Sequence, residues 1–271
     1  MNYRHAYHAG NFADVAKHIA LVAVLEHLKR KETGFVVIDT HAGRGLYDLL
    51  GAEAIKTSEA LTGIERIRDL KGILPRALAT YLELVRSTGD AKYPGSPLIA
   101  AHLLRPQDRL VAIEKHPEEA QALFKELSPY SRAKVLAADG YGRLPRLLPP
   151  HERRGVILVD PPFEAVDEFR VIASVVTDAL RRFATGVYMV WYPIKSVARA
   201  ASFCGELLAA GANSLLRVEI SRDELGEGMR AAGLLVINPP FGFAEQMAAI
   251  GEKLRMPLAG QLGISWLAGG P

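Results

Sequence analysis

Four carboxylates in this sequence stand directly after short apolar runs, and the residues around them are the ones that could do chemistry. Asp39 opens Asp39-Thr-His-Ala-Gly-Arg-Gly45, Glu114 follows Leu110 to Ile113, Asp139 precedes Gly140, and Asp160 opens Asp160-Pro-Pro-Phe163. The last quartet is the most specific. Two prolines fix the backbone direction and so hold a carboxylate, carbonyl oxygens and an aromatic face in set relation, which suits an exocyclic amine. Adenine N6 is a poor nucleophile because its lone pair is delocalised into the ring. A carboxylate and the Pro161 carbonyl, accepting its two N–H groups, would turn that lone pair towards an electrophile. An aspartate is too weak a base to strip a neutral amine beforehand, so its work would be positioning and stabilising positive charge. Phe163 would stack on the base, which must be flipped out if it lies in a helix.

The other three clusters suit a nucleoside. A carboxylate at Glu114 can accept both ribose hydroxyls, and Asp139 can accept from an adenine amino group while Gly140 leaves room for the ring. Gly43 and Gly45 stand where backbone must approach a ligand closely, but their spacing is not GxGxxG, so no pyrophosphate need be bound. A ligand with a ribose and an adenine but no phosphate fits, and S-adenosylmethionine is such a molecule. A second quartet, Asn238-Pro-Pro-Phe241, has the same grammar. It fits a late hairpin turn and is read as structural.

The elements that must position these residues alternate. Asn11-Phe-Ala-Asp14 offers an N-cap, Val15, Ile19, Val22 and Leu25 share one helical face, and Lys29-Arg30-Lys31 closes the helix with positive charge. Phe35 to Ile38, Leu110 to Ile113, Lys134 to Ala138 and Val156 to Val159 read as strands, with helices at Pro117 to Leu127 and Val166 to Arg182. Strand alternating with helix means a parallel sheet. Later runs, Val187 to Trp191, Leu215 to Ile220, Leu234 to Ile237 and Gly263 to Trp266, add strands, the last ones antiparallel. The expectation is an α/β, Rossmann-like fold with a mixed seven-stranded sheet and helices on both faces. Ligands of open parallel sheets bind beyond the strand C-termini at the switch point, so the four clusters should converge on one crevice. From Glu53 to Arg86 the chain reads instead as two amphipathic helices, broken near Lys71-Gly72 and restarted at Pro75. Residues 51–92 are therefore expected to form a helical insertion in a core made of 1–50 and 93–271, at the ligand edge, as a lid or an RNA contact.

Composition sets outer bounds. The 271 residues are 49% hydrophobic and 23% charged, with 24 Gly and 16 Pro, the profile of a globular protein rather than a disordered, collagenous or disulfide-built chain. Cys204 stands alone, so no intramolecular disulfide and no CxxC zinc pair exists, which fits a reducing cytoplasm. No run approaches the ~18 apolar residues of a spanning helix, the N-terminal residues are polar, and no repeat occurs. Net charge is 33 − 30 = +3, compatible with a polyanion but far below a histone-like binder. Trp191 and Tyr192 either line a pocket or fill the core.

With Asp39 to Gly45, Glu114, Asp139 and Asp160-Pro-Pro-Phe163 in this order, the sequence resembles the class I amino-methyltransferases. Tyr3-Arg-His-Ala-Tyr-His-Ala-Gly-Asn11, Ala13-Asp14-Val-Ala-Lys-His18, Tyr93-Pro-Gly-Ser-Pro97 and Trp191-Tyr-Pro193 resemble, more closely, the bacterial RlmJ family, which methylates N6 of an adenine in 23S ribosomal RNA. The resemblance implies S-adenosyl-L-methionine contacts from His18, His41, Ser96, Glu114, Asp139 and Gly140, with Asp160 at the reacting amine and beside the cofactor. It implies RNA contact at Tyr3, and base or phosphate contact at His5 and Lys17. Phe163 stands where many relatives carry tyrosine, so stacking is kept and a phenolic hydrogen bond is absent. No metal, no membrane partner and a monomer acting on free or early-assembling 23S RNA are expected. The alternatives are the same chemistry on a DNA adenine or a protein glutamine, and a non-catalytic RNA-binding assembly factor. A nicotinamide dehydrogenase lacks its GxGxxG here.

Overall fold

The strand ending in Asp39 has a parallel neighbour on each side, and that placement organises the molecule. The computed structural model describes residues 4–223 and 229–270. Its strands are β1 (Val36–Asp39), β2 (Leu46–Asp48), β3 (Lys92–Pro94), β4 (Arg109–Glu114), β5 (Ala133–Ala137), β6 (Gly155–Val159), β7 (Val187–Pro193), β8 (Leu215–Arg222), β9 (Ala231–Ile237) and β10 (Gly260–Ala268). All but β2 and β3 form one sheet in the order β10-β8-β9-β7-β6-β1-β4-β5. Strands β7, β6, β1, β4 and β5 run parallel, whereas β9 is antiparallel to both β7 and β8, and β10 is antiparallel to β8. The sheet thus has eight strands where seven were expected: all eight runs read as strands join it, the last along the outer edge of β8.

The helices are α1 (Phe12–Leu28), α2 (Ala52–Thr57), α3 (Ile64–Ile67), α4 (Arg76–Ser87), α5 (Ser96–Leu103), α6 (Pro117–Leu127), α7 (Gly140–Arg143), α8 (Glu168–Arg182), α9 (Val197–Ala209) and α10 (Phe243–Leu258). They cover both faces of the sheet, as both-sided apolar strands require. Val37, Leu110 and Leu158 face a core shared with α1, α4, α5 and α10, while Ile38, Val111 and Ile157 face one shared with α8 and α9. Asn11 caps α1 as its spacing suggested, its Oδ1 accepting from the Asp14 N–H at 2.9 Å. The helix is nevertheless buried almost all round, Asp14, Lys17 and His18 included.

Part of that cover comes from between β2 and β3, where the chain forms α2, a 3-10 turn at Glu59–Thr62, α3 and α4 rather than two long helices. Ser58 in the left-handed region ends α2, and α4 lies against α1, with Thr80 Oγ1 donating to Glu26 Oε1 at 2.7 Å and both Leu78 and Leu82 buried. The β2–β3 pair, with Tyr47 opposite Tyr93, closes this segment. Neither three-residue strand carries an apolar run that would announce it. Among the described residues no helix is long and apolar enough to cross a membrane.

Candidate active site

Beyond the C-terminal ends of β1, β4, β5, β6 and β7 opens a cavity of ≈ 1100 Å³, at the upper end of the few hundred to ~1,000 Å³ usual for small-molecule sites. The residues singled out in the sequence line it together: His5, Lys17, His18, His41, Ser96, Glu114, Asp139, Gly140, Asp160 and Phe163. Tyr3 lies outside the described residues. Trp191 also lines the cavity, whereas Tyr192 is fully buried in the core. Asp39 is not at the cavity wall; it is buried beneath it and accepts from Ser96 Oγ at 2.6 Å.

One bank of the cavity carries the two nucleoside-type carboxylates. Glu114 accepts from the Gly43 N–H at 2.8 Å through Oε2 and from the His116 N–H at 2.7 Å through Oε1. Each oxygen keeps a lone pair for another donor. Gly43 has φ +63°, and a side chain there would also meet the Tyr47 hydroxyl, so the turn that brings this N–H to Glu114 calls for glycine. Asp139 caps the turn after β5, accepting from the Gly142 N–H, and is bridged by Lys115 Nζ at 2.9 Å. Burial opposes its charge, but Lys115 and the Gly142 N–H outweigh burial and hold its carboxyl below the usual range. His41 hydrogen-bonds Thr40 Oγ1 at 2.8 Å and packs edge-on to Tyr141. Burial pushes its pKa down to about 4, so the ring is neutral at pH 7.

Another part of the lining is built on Asp160. Its Oδ2 accepts from Lys17 Nζ, whose ammonium also donates to Asp14 Oδ1 at 2.7 Å. Asp14 Oδ2 in turn meets His5 Nε2 at 2.9 Å and the Gly10 N–H at 3.0 Å. Burial works against both charges of the inner pair. The His5 ring and the Lys17 ammonium nonetheless hold Asp14 well below the carboxylate range, and Asp14 and Asp160 push Lys17 up. Lys17 is 4% exposed, its head held between two carboxylates rather than offered to a phosphate in solution. Phe163 sits at φ +50°, an uncommon conformation for a bulky residue. Its ring packs against Phe169 and Trp191, with centroids 5.0 and 5.6 Å away.

His18 hydrogen-bonds the Tyr93 hydroxyl at 2.7 Å, and that hydroxyl meets Tyr81 at 3.0 Å. Burial and the adjacent Lys17 charge lower the His18 pKa to about 3, so it too is a neutral ring. Sequence reasoning passed over Asp14 as a helix-cap neighbour, and over His116, whose Nδ1 is buried without a hydrogen-bond partner among the described residues. It also passed over Arg44, which forks onto Glu119 at 2.9 and 2.7 Å and braces the Gly43 turn. A signal for His116 existed in its place two residues after Glu114. For Asp14 the signal was its place in the Ala13-Asp14-Val-Ala-Lys-His18 segment, whereas its burial is not written in the helix itself.

A parallel sheet whose switch point lies at β1, with the reversed β9 inserted between β7 and β8, defines together with this carboxylate-lined crevice the Rossmann-like class I methyltransferase fold. A family model described as "Ribosomal RNA large subunit methyltransferase D, RlmJ" matches residues 32–268. The chain belongs to this RlmJ family. It is 40% identical to the ribosomal RNA large subunit methyltransferase J of Escherichia coli, over 98% of this chain and 99% of the relative. The protein of the same name from Haemophilus influenzae is 38% identical, over 98% and 97%. The crystal structure of protein LPL1258 from Legionella pneumophila superposes with a TM-score of 0.89 at 34% identity, covering 97% of this chain and 99% of that one.

Proposed function

We propose that this chain is an S-adenosyl-L-methionine-dependent methyltransferase that modifies the exocyclic N6 of an adenine in 23S ribosomal RNA. The observation that carries the reading is that Asp160-Pro-Pro-Phe163 opens onto the same cavity as Glu114 and Asp139. A site for an amine to be alkylated thus faces a site for a nucleoside donor. The relatives' names, which specify ribosomal RNA of the large subunit, supply the polymer.

The residues present fit the donor. Glu114 offers free lone pairs to ribose hydroxyls, Asp139 offers them to an adenine amine, and the unpartnered His116 Nδ1 lies at the same wall. Ser96, His18 and His41 line the side nearest β1, and the two rings, being neutral, add no charge to repel a sulfonium. When bound, S-adenosyl-L-methionine supplies a methyl group made electrophilic by its positive sulfur.

The rest falls to the chain. Asp160 and the Pro161 carbonyl accept the two N6 hydrogens and so orient the nitrogen lone pair, which converts an encounter into a held geometry. Phe163 stacks on the flipped base, with Trp191 behind it. As N6 takes the methyl group, whose former bonding electrons stay on the sulfur, it gains positive charge, and the Asp160 carboxylate, 15% exposed at the cavity wall, stabilises that charge. The extra proton then leaves N6 towards Asp160 and on to water. His5, which lines the cavity, and Tyr3 contact the RNA. The test is transfer of labelled methyl to unmodified 23S ribosomal RNA by wild type and Asp160→Ala, with mass mapping of the product. Methylation at an adenine N6 that depends on Asp160 is expected; equal transfer by both proteins would sink the assignment.

A further inference from the structure

We propose that Asp14, which touches neither ligand in the mechanism above, is a positioning residue that keeps Lys17 from neutralising Asp160. The inference rests on the adenine-N6 reading and adds a residue to it. Its starting point is a conflict. Asp160 must present negative charge to an amine that is becoming cationic, yet its Oδ2 accepts from a buried ammonium. A lysine paired with Asp160 alone would leave the site neutral and forfeit most of the electrostatic stabilisation that the carboxylate is there to provide.

The structure resolves the conflict one turn of helix away. Lys17 Nζ is shared, with Asp14 Oδ1 at 2.7 Å on its other side, and Asp14 is 3% exposed, so solvent does little to screen the attraction. The two carboxylates and one ammonium sum to −1, the charge Asp160 would carry alone. His5 pairs with the far oxygen of Asp14, away from Asp160. The Gly10 N–H on that same oxygen and the Asp14 N–H bonded to the Asn11 cap fix the carboxylate against rotation. Lys17 is thereby held as a strut that orients Asp160 through one oxygen and leaves Oδ1 for the amine, while its own charge is balanced from behind.

A packing role and a charge-balancing role differ in sign in one experiment. The full-length protein is assayed with unmodified 23S RNA transcript and labelled S-adenosyl-L-methionine, both saturating, in four forms: wild type, D14N, K17M and D14N/K17M. Binding of S-adenosyl-L-methionine by calorimetry and thermal melting report the fold of each. D14N is expected to lower kcat by about 100-fold with the KM for each substrate changed less than about threefold, since Lys17 then turns wholly to Asp160. In the K17M background the same substitution is expected to raise kcat by about tenfold, because it removes an unbalanced second carboxylate. That reversal is also the readout should D14N alone fold poorly, as K17M and D14N/K17M suffice for it. Two deficits that multiply in the double variant, or a D14N enzyme within about threefold of wild type, would overturn the proposal. Wild-type transfer to an acceptor other than adenine would instead overturn the functional reading, and the sign reversal would then be measured on that acceptor.

Discussion

The chain contains two quartets of one pattern, Asp160-Pro-Pro-Phe163 and Asn238-Pro-Pro-Phe241, and the fold gives them opposite uses. The first follows β6, a parallel strand, and so stands at the edge where β1, β4 and β5 also end. The second follows β9, which runs the other way, and so emerges at the edge where the parallel strands begin. Asp160 meets Lys17 at a cavity wall, and Phe163 is turned inward against Trp191. Asn238 uses its Nδ2 to tie down the carbonyls of Ala184 and Gly186, both at 2.8 Å, and Phe241 is 94% exposed. Strand direction, more than local sequence, decides which of two similar motifs can reach a ligand.

The sharpest way to break this contrast is to remove each leading residue. Asp160→Ala is expected to lower methyl transfer by about 100- to 1,000-fold, measured as labelled methyl incorporated per enzyme at saturating substrates, while Asn238→Ala leaves that rate within about twofold. A large loss in the second variant at unchanged thermal stability would mean that the far edge takes part in the reaction.

The two edges should also respond differently to pH. Burial pushes the Asp39 carboxyl up to about 7 against the hydrogen bond from Ser96. The native state therefore keeps a proton that the unfolded chain releases near its ordinary value of 3.8. With more protons bound by the native state, this group's contribution to stability is full below pH ~4 and is lost as pH climbs towards 7, with a slope of up to about 1.4 kcal/mol per pH unit. Urea unfolding between pH 4.5 and 7.5 is expected to show Asp39→Asn losing less stability than wild type with rising pH, and parallel profiles would refute the assignment. Next in size, Phe163→Ala removes a stacking surface for which aromatic contacts to bases are typically worth about 1–3 kcal/mol. The KM for RNA should rise about tenfold in steady-state assays, with S-adenosyl-L-methionine binding unchanged.

Much of the active edge was legible because parallel strands write their ends plainly. A run such as Val156 to Val159 is apolar on both faces and stops at a carboxylate, so four such stops suffice to place a crevice. Which way each carboxylate turns was not legible. Asp39 belongs to the same set by sequence, yet it points beneath the wall to Ser96, a choice made by pleat and register rather than residue type. Likewise, the burial of Asp14 and Lys17 is not written in their helix, because it comes from partners elsewhere in the chain: His5 and the Gly10 N–H around Asp14, and Asp160 and the strand carrying Trp191 beside Lys17. The left-handed backbone at Phe163 has no glycine to announce it and persists because Phe169 and Trp191 hold the ring. The eight strand-like runs, Gly263 to Trp266 among them, do not by themselves say how many join one sheet, since joining an edge depends on α10 returning the chain to β8.

The smallest effects belong to the far quartet, and they test whether its job is purely structural. Asn238 adopts φ +53°, a conformation that asparagine tolerates better than most side chains. Its two hydrogen bonds join the end of β9 to the turn before β7, next to the Tyr188–Ile237 pair. Asn238→Ala gives up both bonds and adds backbone strain, for an expected loss of about 1–2 kcal/mol, read as a lower urea midpoint at unchanged slope. Asn238→Gly keeps the backbone conformation without strain and loses only the bonds, so it should fall between alanine and wild type if the left-handed turn matters. Phe241→Ala removes a ring that water already surrounds and should shift stability by less than about 0.5 kcal/mol. If Phe241→Ala instead cost as much as Asn238→Ala, the exposed ring would have to be packing against something in solution, and the far edge could no longer be treated as a turn that merely copies the active one.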